Sequence, residues 1–447
     1  MVKRALTLFL IFLVVLYIFL GPTLFKKYWV DYKESYEHKK NEIKWQGVIT
    51  FWDFPKNDAV SGSKFGWINR RIKEFEKKHP GVYIEFRALD SVSGKTALMA
   101  ASKIGANPDI APVGSDYYFI SSNLLEPLDD LILGEERDDF LEEALASCSY
   151  NGALYGIPWA RKAYALLLNT DIFRDREVDI PENGYWSYEE FLESLKKLTF
   201  DSDRRGGIDT YGLCGFIESG FYNVFGIIMC DGARVIDEDT GKYCFDSPKA
   251  LSGLKKLCDL INTYKVFYPD IGNMNQNKAL NIFLSGKAAV LLGDAWMVPY
   301  LRNIGSKYGI NFATAHYPSG DIKTPSYMNY IYYSYGIFKQ EDLGKKEACI
   351  EFVKYITEKE FQDELANFGY FPVRKSGRHI YQNDKEMYTI QKGLGYAKNI
   401  PFHKNWWEID EIIQYNILET VNGNKTPEKA LQDAKEQTRV FFQTSCD

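Results

Sequence analysis

Hydrophobic and polar residues follow two different periods along the chain, and their order predicts alternating strands and helices. Residues 48–54, VITFWDF, alternate as in a half-buried strand. Ile68, Ile72 and Phe75 then recur at the spacing of one helix face, and a second strand, VYIEF, follows them. A further helix over roughly 95–104 leads into the short apolar strand DIAPVG. This order is typical of an α/β protein built on a parallel sheet.

Two later helices carry explicit start signals. Ser187 opens the segment SYEEFLESLKK and Glu190 stands three residues on, which predicts a capping box. Thr426 is followed by Pro427, and proline is favourable at the first position of a helix. We therefore expect one helix to begin after Ser187 and another at Pro427.

An uninterrupted apolar segment, AAVLL at residues 288–292, predicts a strand that is covered on both faces. The preceding Ser285-Gly286-Lys287 is not a nucleotide-binding loop, because Ala288 stands where Ser or Thr would open a helix. The strand ends at once in Asp294 and Trp296. Open α/β sheets bind ligands at the carboxyl ends of their strands, so these two residues are candidates for ligand binding.

Length and composition set broad limits on the function. With 447 residues, the chain can form two or three ordinary domains or one two-lobed body. Aromatic residues make up 15%, a high share that favours a surface for flat, partly apolar ligands as much as a thick core. The formal net charge is −6, and basic residues are mixed with acidic ones along the chain. We therefore expect no nucleic-acid partner.

The cysteines give no sign of a metal site. Seven of them are spread along the chain without a C-x-x-C pair or a zinc-type histidine spacing. Cys230 and Cys244 flank a predicted hairpin and are the first candidates for a disulfide, although the spacing alone does not decide whether one forms. We expect neither a metal nor a cofactor.

The N-terminus contains a long apolar segment. Residues 5–25 carry no charge, are numerous enough to cross a hydrocarbon layer of ~30 Å, and exceed a usual signal-peptide core. We therefore predict that residues 1–27 form an uncleaved membrane anchor, with a cleaved signal segment as the alternative, and that residues 28–45 form a stalk. In both cases the remainder is exported, either held at the extracellular face of the cell membrane or secreted.

The order of several motifs resembles the extracellular solute-binding protein family of ABC importers, in the branch that binds maltose and other sugars. In chain order these motifs are VITFWDF, KKHPGVYIEF, NPDIAPVGSDYYF, YNGALYGIPWARKAYALLLNTDIF, FLSGKAAVLLGDAW, YSYGIF and FGYFPVRKS. The resemblance covers about residues 48–442. It implies an α/β, two-lobe periplasmic-binding-protein-like (type II) fold with a hinge, preceded by the N-terminal transmembrane helix. Residues 46–158 and 325–372 are assigned to lobe 1, and residues 159–324 and 373–447 to lobe 2.

The same resemblance implies a sugar site between the lobes. A pyranose ring packs its C–H groups on an aromatic face, while carboxylates and amides exchange hydrogen bonds with its hydroxyls. Trp296 is the implied stacking platform, Asp294 is an implied hydroxyl acceptor, and Trp407 is expected in the core. The candidate ligand-binding residues are Trp52, Asp53, Asp116, Trp159, Arg161, Asp294, Trp296, Tyr327, Asn329 and Trp406.

The implied function is capture of a carbohydrate, expected to be an oligosaccharide, for delivery to the membrane subunits of an ABC importer. A lipid-modified Cys, usual just after the apolar segment in Gram-positive members, is absent because the first Cys is Cys148. The alternative is a membrane-anchored ectodomain that senses a sugar and signals to a membrane partner. We expect a monomer and no enzyme, because no catalytic motif such as H-E-x-x-H or G-x-S-x-G occurs.

The first prediction concerns residues 5–25. If they serve as an anchor, the mature protein extracted from membranes should retain them, because an uncleaved span stays attached to the exported part. Intact-mass spectrometry measures this directly. A mature N-terminus beyond Phe25 would contradict the anchor and indicate a cleaved signal segment.

Overall fold

Two β-sheets, each covered by helices, organise residues 45–442, which are the residues that this computed structural model describes. The chain first builds most of lobe 1. The elements of this part are β1 (Gly47–Asp53), α1 (Gly66–Lys78), β2 (Val82–Ala88), α2 (Gly94–Lys103), β3 (Ile110–Ala111), α3 (Tyr117–Ser121), α4 (Gly134–Asp139), α5 (Glu142–Ala146), β4 (Ser149–Tyr150), β5 (Ala153–Leu154) and β6 (Ile157–Arg161).

Lobe 2 follows directly and holds the second sheet. Its elements are β7 (Tyr164–Asn169), α6 (Thr170–Asp175), α7 (Tyr188–Lys197), β8 (Tyr211–Cys214), α8 (Phe225–Ile228), α9 (Pro248–Cys258), α10 (Gln276–Leu284), β9 (Ala288–Asp294), α11 (Met297–Tyr308) and β10 (Phe312–Ala315). A π-helical turn, Asp259–Thr263, continues α9. The buried side chains of this lobe form its own hydrophobic core.

The last part of the chain returns to lobe 1 and then covers lobe 2. Its elements are β11 (Tyr327–Asn329), β12 (Tyr332–Ile337), α12 (Leu343–Ile356), α13 (Lys385–Gly393), β13 (Ala397–Asn399), α14 (Trp406–Val421) and α15 (Pro427–Phe442). β12 and α12 join the core of lobe 1, whereas α14 and α15 pack on lobe 2. Short 3-10 turns lie at Asp129–Leu131, Glu182–Gly184, Ile271–Asn273, Lys359–Phe361, Asp363–Phe368, Lys375–Gly377 and Leu394–Tyr396.

The sheet of lobe 1 is mixed, with the strand order β2-β1-β3-β12-β6. β1 is parallel to β2 and β3, as the predicted β-α-β order requires. β12, however, is antiparallel to both β3 and β6, so the prediction of a parallel sheet is wrong for this strand. The reason is that β12 enters from lobe 2, without the crossover helix that a parallel neighbour needs.

β9 lies inside the sheet of lobe 2, whose order is β10-β7-β9-β8. It is antiparallel to β7 and parallel to β8, and each of its residues is buried. The predicted strand covered on both faces is therefore confirmed. Its last residue is Asp294, and α11 begins three residues later at Met297.

The predicted helix starts are also confirmed. At α7, the hydroxyl of Ser187 accepts the backbone N–H of Glu190, while the Glu190 carboxylate accepts the backbone N–H of Ser187. α15 begins at Pro427, and Lys429 donates its backbone N–H to the Thr426 hydroxyl at 3.2 Å. Local side-chain chemistry thus sets where these helices begin.

Three segments of the described chain pass between the lobes, and backbone hydrogen bonds hold them together. Lys162, between β6 and β7, donates its N–H to the carbonyl of Ile331 at 2.7 Å. Arg161 and Phe371 exchange two backbone bonds of 2.7 and 2.9 Å. Since each bond joins two different crossings, we define residues 161–163, 330–331 and 369–371 as the hinge.

The proposed disulfide between Cys230 and Cys244 is wrong. Each cysteine within residues 45–442 is free. The hairpin pairs Ile236 with Tyr243, which leaves Cys230 outside it, buried against α9. Cys244 instead donates its thiol to the carbonyl of Arg234.

The predicted anchor and stalk fall almost wholly on residues 1–44, which lie outside the described residues. Among the helices of residues 45–442, none is both long and apolar enough to cross a membrane. The membrane anchor therefore stays a prediction from the sequence.

Close helix packing in lobe 2 leads to a stability prediction. A Cβ added at Gly253 of α9 would lie 1.8 Å from the carbonyl oxygen of Ile228 on α8. Gly253→Ala should therefore lower the free energy of unfolding by roughly 1–3 kcal/mol or more, because the two helices must move apart. Urea denaturation measures the change.

Gly207→Ala is the matched control for this substitution. Gly207 is exposed, and no atom lies within 4 Å of an added Cβ. The same extra methyl group should change its stability by less than about 0.5 kcal/mol. Equal stabilities of the two variants would contradict the close contact between α8 and α9.

Candidate functional site

A cleft between the lobes contains two adjoining chambers. The larger has a volume of about 410 Å³ and the smaller about 160 Å³. Side chains from both lobes and from the hinge line the two chambers together. The shared residues are Phe54, Ser91, Val92, Lys162, Phe221 and Tyr333. A ligand held here would therefore contact both lobes and the hinge at once.

Aromatic side chains line the larger chamber from several elements. Trp296, in the turn between β9 and α11, is partly buried, and its ring centroid lies 5.7 Å from that of Tyr300. Tyr333 of β12 and Tyr370 pack with their ring centroids 5.3 Å apart. Such faces suit stacking against the apolar face of a ring-shaped ligand.

Amide side chains line the same chamber at the N-terminus of α10. Asn275 caps this helix by accepting the backbone N–H of Lys278 at 3.0 Å, and Gln276 and Asn277 follow it. Asn57 contributes a further amide from lobe 1. Each amide can donate and accept hydrogen bonds, which matches the dual character of hydroxyl groups.

Charged groups lie deeper in the larger chamber. Asp294 is 3% exposed and accepts the backbone N–H of Trp296 at 3.3 Å. Burial raises the pKa of Asp294, although the ammonium of Lys162 partly offsets this effect. Burial alone would lower the pKa of Lys162, but the neighbouring Tyr333 and Asp294 outweigh it and raise that pKa. The chamber thus holds a carboxyl group and an ammonium group that influence each other.

The smaller chamber is lined by tryptophans and by an ion pair. Trp406 donates its indole N–H to the hydroxyl of Tyr222 at 2.9 Å. Lys95 forms an ion pair with Asp116, and its Nζ lies 5.5 Å from the ring centroid of Trp407. Because Lys95 belongs to lobe 1 and Trp407 to α14, the lobes touch at this end of the cleft.

Among the predicted ligand-binding residues, Asp116, Asp294, Trp296 and Trp406 line the chambers. The others lie elsewhere. Asp53 is 1% exposed, because it forms an ion pair with Lys56 and accepts the hydroxyl of Tyr335 at 2.9 Å. Trp52 packs against Arg87 of the neighbouring strand, whose guanidinium carbon lies 4.2 Å from the indole centroid. Asp53 therefore belongs to the interior of lobe 1, and Trp52 packs against the neighbouring strand of its sheet.

Trp159 is a core residue of lobe 1, 2% exposed and stacked on Trp67 with the ring centroids 5.5 Å apart. Tyr327 packs within lobe 2, and Asn329 is 1% exposed in β11. Arg161 ends β6 at the hinge. These side chains line neither chamber.

The structure brings in residues that sequence reasoning missed. Lys162 lines both chambers. The sequence could have indicated it, because this lysine interrupts an otherwise largely apolar segment between β6 and β7. Trp407, expected in the core, lines the smaller chamber because it lies in the first turn of α14. Tyr333 of β12 and Tyr370 of the third crossing also line the larger chamber. Their positions depend on how β12 pairs with β6 and on the hydrogen bonds of the hinge, which the sequence does not show.

Within residues 45–442, a group of acids outside the cleft could hold a cation. Ligand oxygens of Asp201, Asp203 and Asp209 lie within 4.8 Å of one another in a loop before β8. The loop already occupies them, since Asp201 accepts the N–H of Gly206 and Asp209 accepts the N–H and hydroxyl of Ser202. Nothing links this loop to the chambers.

Comparison with known proteins identifies the family. A model of the family described as bacterial extracellular solute-binding protein matches residues 70–389. The chain belongs to this family. It is 25% identical over 338 residues to the maltotriose-binding protein of Pyrococcus abyssi, an alignment that covers 74% of this chain and 68% of the relative. Family membership makes it a solute-binding protein and not an enzyme.

Solved structures show the same two-lobe, periplasmic-binding-protein-like fold. An ABC substrate-binding protein from Listeria monocytogenes in complex with cycloalternan superposes with a TM-score of 0.74 at 18% identity, over 89% of this chain and 99% of that one. The maltose/maltodextrin-binding domain from Bdellovibrio bacteriovorus bound to maltotriose gives 0.73 at 18% identity, over 88% and 99%. The fold expected from the sequence is thereby confirmed for the described lobes.

The buried carboxyl group of Asp410 leads to a prediction of how the stability of this solute-binding protein depends on pH. It is 1% exposed on α14 and accepts the N–H of Gly220, in the cleft wall, at 2.7 Å. Burial, together with a smaller effect of Glu411, raises its pKa to about 7, although the hydrogen bonds from Gly220 and Gln414 and the charge of Lys95 oppose the rise. The unfolded value is about 3.9. The folded state therefore holds this proton more tightly, and its stabilising effect is lost as the pH rises from about 4 to about 7.

Urea denaturation of the wild type and Asp410→Asn at pH 5 and pH 8 tests this effect. The stability of the wild type relative to the variant should fall by roughly 2–3 kcal/mol between these pH values, because the variant has no proton to lose. Comparing the two proteins removes the contribution of all other titrating groups. A constant difference at both pH values would contradict the raised pKa.

Proposed function

We propose that this protein captures an oligosaccharide between its lobes and delivers it to an ABC importer. The observation that carries the proposal is the lining of the larger chamber, where aromatic faces alternate with amide and carboxyl groups. Trp296 and Tyr370 offer ring faces, and Asn275, Gln276 and Asp294 offer hydrogen-bonding groups. A sugar has both matching surfaces, since its C–H face is apolar and its edge carries hydroxyls.

The shape of the cleft supports a ligand longer than one sugar ring. The chamber of about 410 Å³ lies in the usual range for small-ligand sites, and it shares lining residues with the chamber of about 160 Å³. Aromatic side chains stand at both ends, with Trp296 in the larger chamber and Trp406 and Trp407 in the smaller. An extended ligand can therefore stack at two separate places.

The relatives support the same chemistry. The Pyrococcus abyssi relative is named for maltotriose, and the two similar structures hold cycloalternan and maltotriose. Each of these ligands is an oligosaccharide. Delivery follows from the family, whose model describes extracellular solute-binding proteins, and a tether through residues 5–25 would keep the protein beside the importer.

The hinge supports capture by closure of the lobes. Its crossings are bound to one another, so the lobes can rotate about them without breaking either sheet. Phe54 of lobe 1 and Trp296 of lobe 2 both line the larger chamber, so a ligand held there lies between the lobes. Closure then buries ligand surface on two sides and stabilises the bound state.

Calorimetric titration of the wild type with maltotriose and a panel of other neutral oligosaccharides tests this function. At least one should bind, and Trp296→Ala should weaken its binding by roughly 2 kcal/mol, about thirtyfold, as expected for an aromatic anchor. No binding by any member of the panel would contradict the proposal.

Trp186→Ala is the matched control, because it removes an indole that is 6% exposed, packs on Phe191 in the core of lobe 2 and lines neither chamber. It should lower the free energy of unfolding by roughly 3–5 kcal/mol and leave the affinity of the folded fraction nearly unchanged. Thermal melting of both variants separates the two effects. If Trp296→Ala lost stability but kept its affinity, the stacking role would be excluded.

A further inference from the structure

Lys162 and Asp294 stand together at the floor of the cleft. Lys162 lies in the first crossing of the hinge and lines both chambers. Asp294 ends β9 and lines the larger chamber. The two groups come from neighbouring segments, since Tyr164 pairs with Asp294 across the sheet and Ala295 donates its N–H to the carbonyl of Ala163 at 2.9 Å. Their side chains line the same chamber.

Neither group satisfies its hydrogen-bonding capacity within the described residues. Lys162 makes no ion pair within 4.0 Å among them, and its ammonium group interacts with the side chain of Tyr333, whose ring centroid lies 4.8 Å from Nζ. An ammonium group has three donors, so this contact does not use all of them. Asp294 accepts the backbone N–H of Trp296, and no side chain of the described residues donates to it in a hydrogen bond. A donor and an acceptor therefore remain available toward the chamber.

This arrangement differs from that of two other buried carboxylates, which both belong to lobe 1. Asp53 forms a direct ion pair with Lys56, and Asp116 forms one with Lys95. A buried charge without a direct partner costs free energy, and such groups are concentrated at functional sites. Lys162 and Asp294 form no ion pair within 4.0 Å and line the same chamber, so a ligand group there can hydrogen-bond to both.

The backbone holds Lys162 in place. Its N–H donates to the carbonyl of Ile331 at 2.7 Å, and the flanking Arg161 exchanges two bonds with Phe371. The side chain therefore starts from a backbone that hydrogen bonds hold in place. A constrained donor loses less conformational entropy on binding than a flexible surface lysine would.

The charge of the larger chamber favours a neutral ligand. Its ionisable lysines and carboxyl groups are Lys64, Lys162, Glu218 and Asp294, so two cationic side chains face two acidic ones. An anionic ligand beside Lys162 would also lie beside Asp294, and like charges at short distance repel. A pair of hydroxyls instead donates to the carboxyl group and accepts from the ammonium group.

We propose that Lys162 and Asp294 bind two adjacent hydroxyls of one uncharged sugar ring, and that Lys162 is thus a specificity-determining residue of the site. The proposal rests on the function proposed above and adds to it the chemical class of the ring at the cleft floor. That ring is a neutral vicinal diol, and a uronic acid is excluded from this position.

Double-mutant analysis on the full-length protein tests the pair, with maltotriose, the neutral panel above and oligogalacturonides as probes. Lys162→Met removes the ammonium group and keeps an apolar stem against Tyr333, while Asp294→Asn keeps the shape of the carboxyl group. Each variant should weaken neutral-sugar binding about tenfold or more, as for hydrogen bonds to charged groups. The double variant should lose less than the product of the single losses, because both groups hold the same ring.

Lys103→Met is the matched control, since Lys103 is exposed at the end of α2 on lobe 1 and lines neither chamber. It should bind the neutral sugar within about twofold of the wild type, and thermal melting confirms that each variant is folded. Unchanged affinity of Lys162→Met, or tighter wild-type binding of oligogalacturonides than of neutral sugars, would overturn the inference while capture of a carbohydrate stands. Failure of the wild type to bind any probe would overturn the proposed function and this inference with it.

Discussion

The backbone hydrogen bonds between the crossing segments are the constraint on which the rest of the structure depends. The two main sheets share no strand, so these crossings are the covalent connections that join the lobes, and contacts such as that of Lys95 with Trp407 add to them. The bond from Lys162 to Ile331 and the two bonds between Arg161 and Phe371 keep the segments side by side. They also close the floor of the cleft, and every ligand contact from one lobe is placed relative to the other through them.

At the cleft floor, a backbone held by hydrogen bonds carries polar side chains that can still bind a ligand. β9 is buried along its whole length and delivers Asp294 to the chamber at its final residue. Trp296 follows in the turn, where the chain leaves the sheet and an indole can keep one face open. Burying a carboxyl group here costs free energy, which explains why its pKa is raised. Binding of a hydrogen-bonding ligand would offset that cost.

Tryptophans illustrate how one residue type serves two purposes. Trp159 lies within β6, the edge strand that pairs with β12, and its ring stacks on Trp67 of α1 in the core. Trp296 and Trp407 lie in a turn and in the first turn of a helix, where one side of the ring faces the space between the lobes. Position along an element, more than residue type, therefore decides between a core and a binding role.

The sequence by itself determined the local elements and the family. The uninterrupted apolar segment located β9, and the capping residues located the start of α7. The order of the motifs indicated the two-lobed fold. Only the tertiary structure decided which side chains share the cleft: it added Lys162 and Trp407, and it placed Trp159 and Asp53 in the interior of lobe 1. The physical reason is that periodicity reports the faces of single elements, whereas the cleft is formed by contacts between segments more than a hundred residues apart.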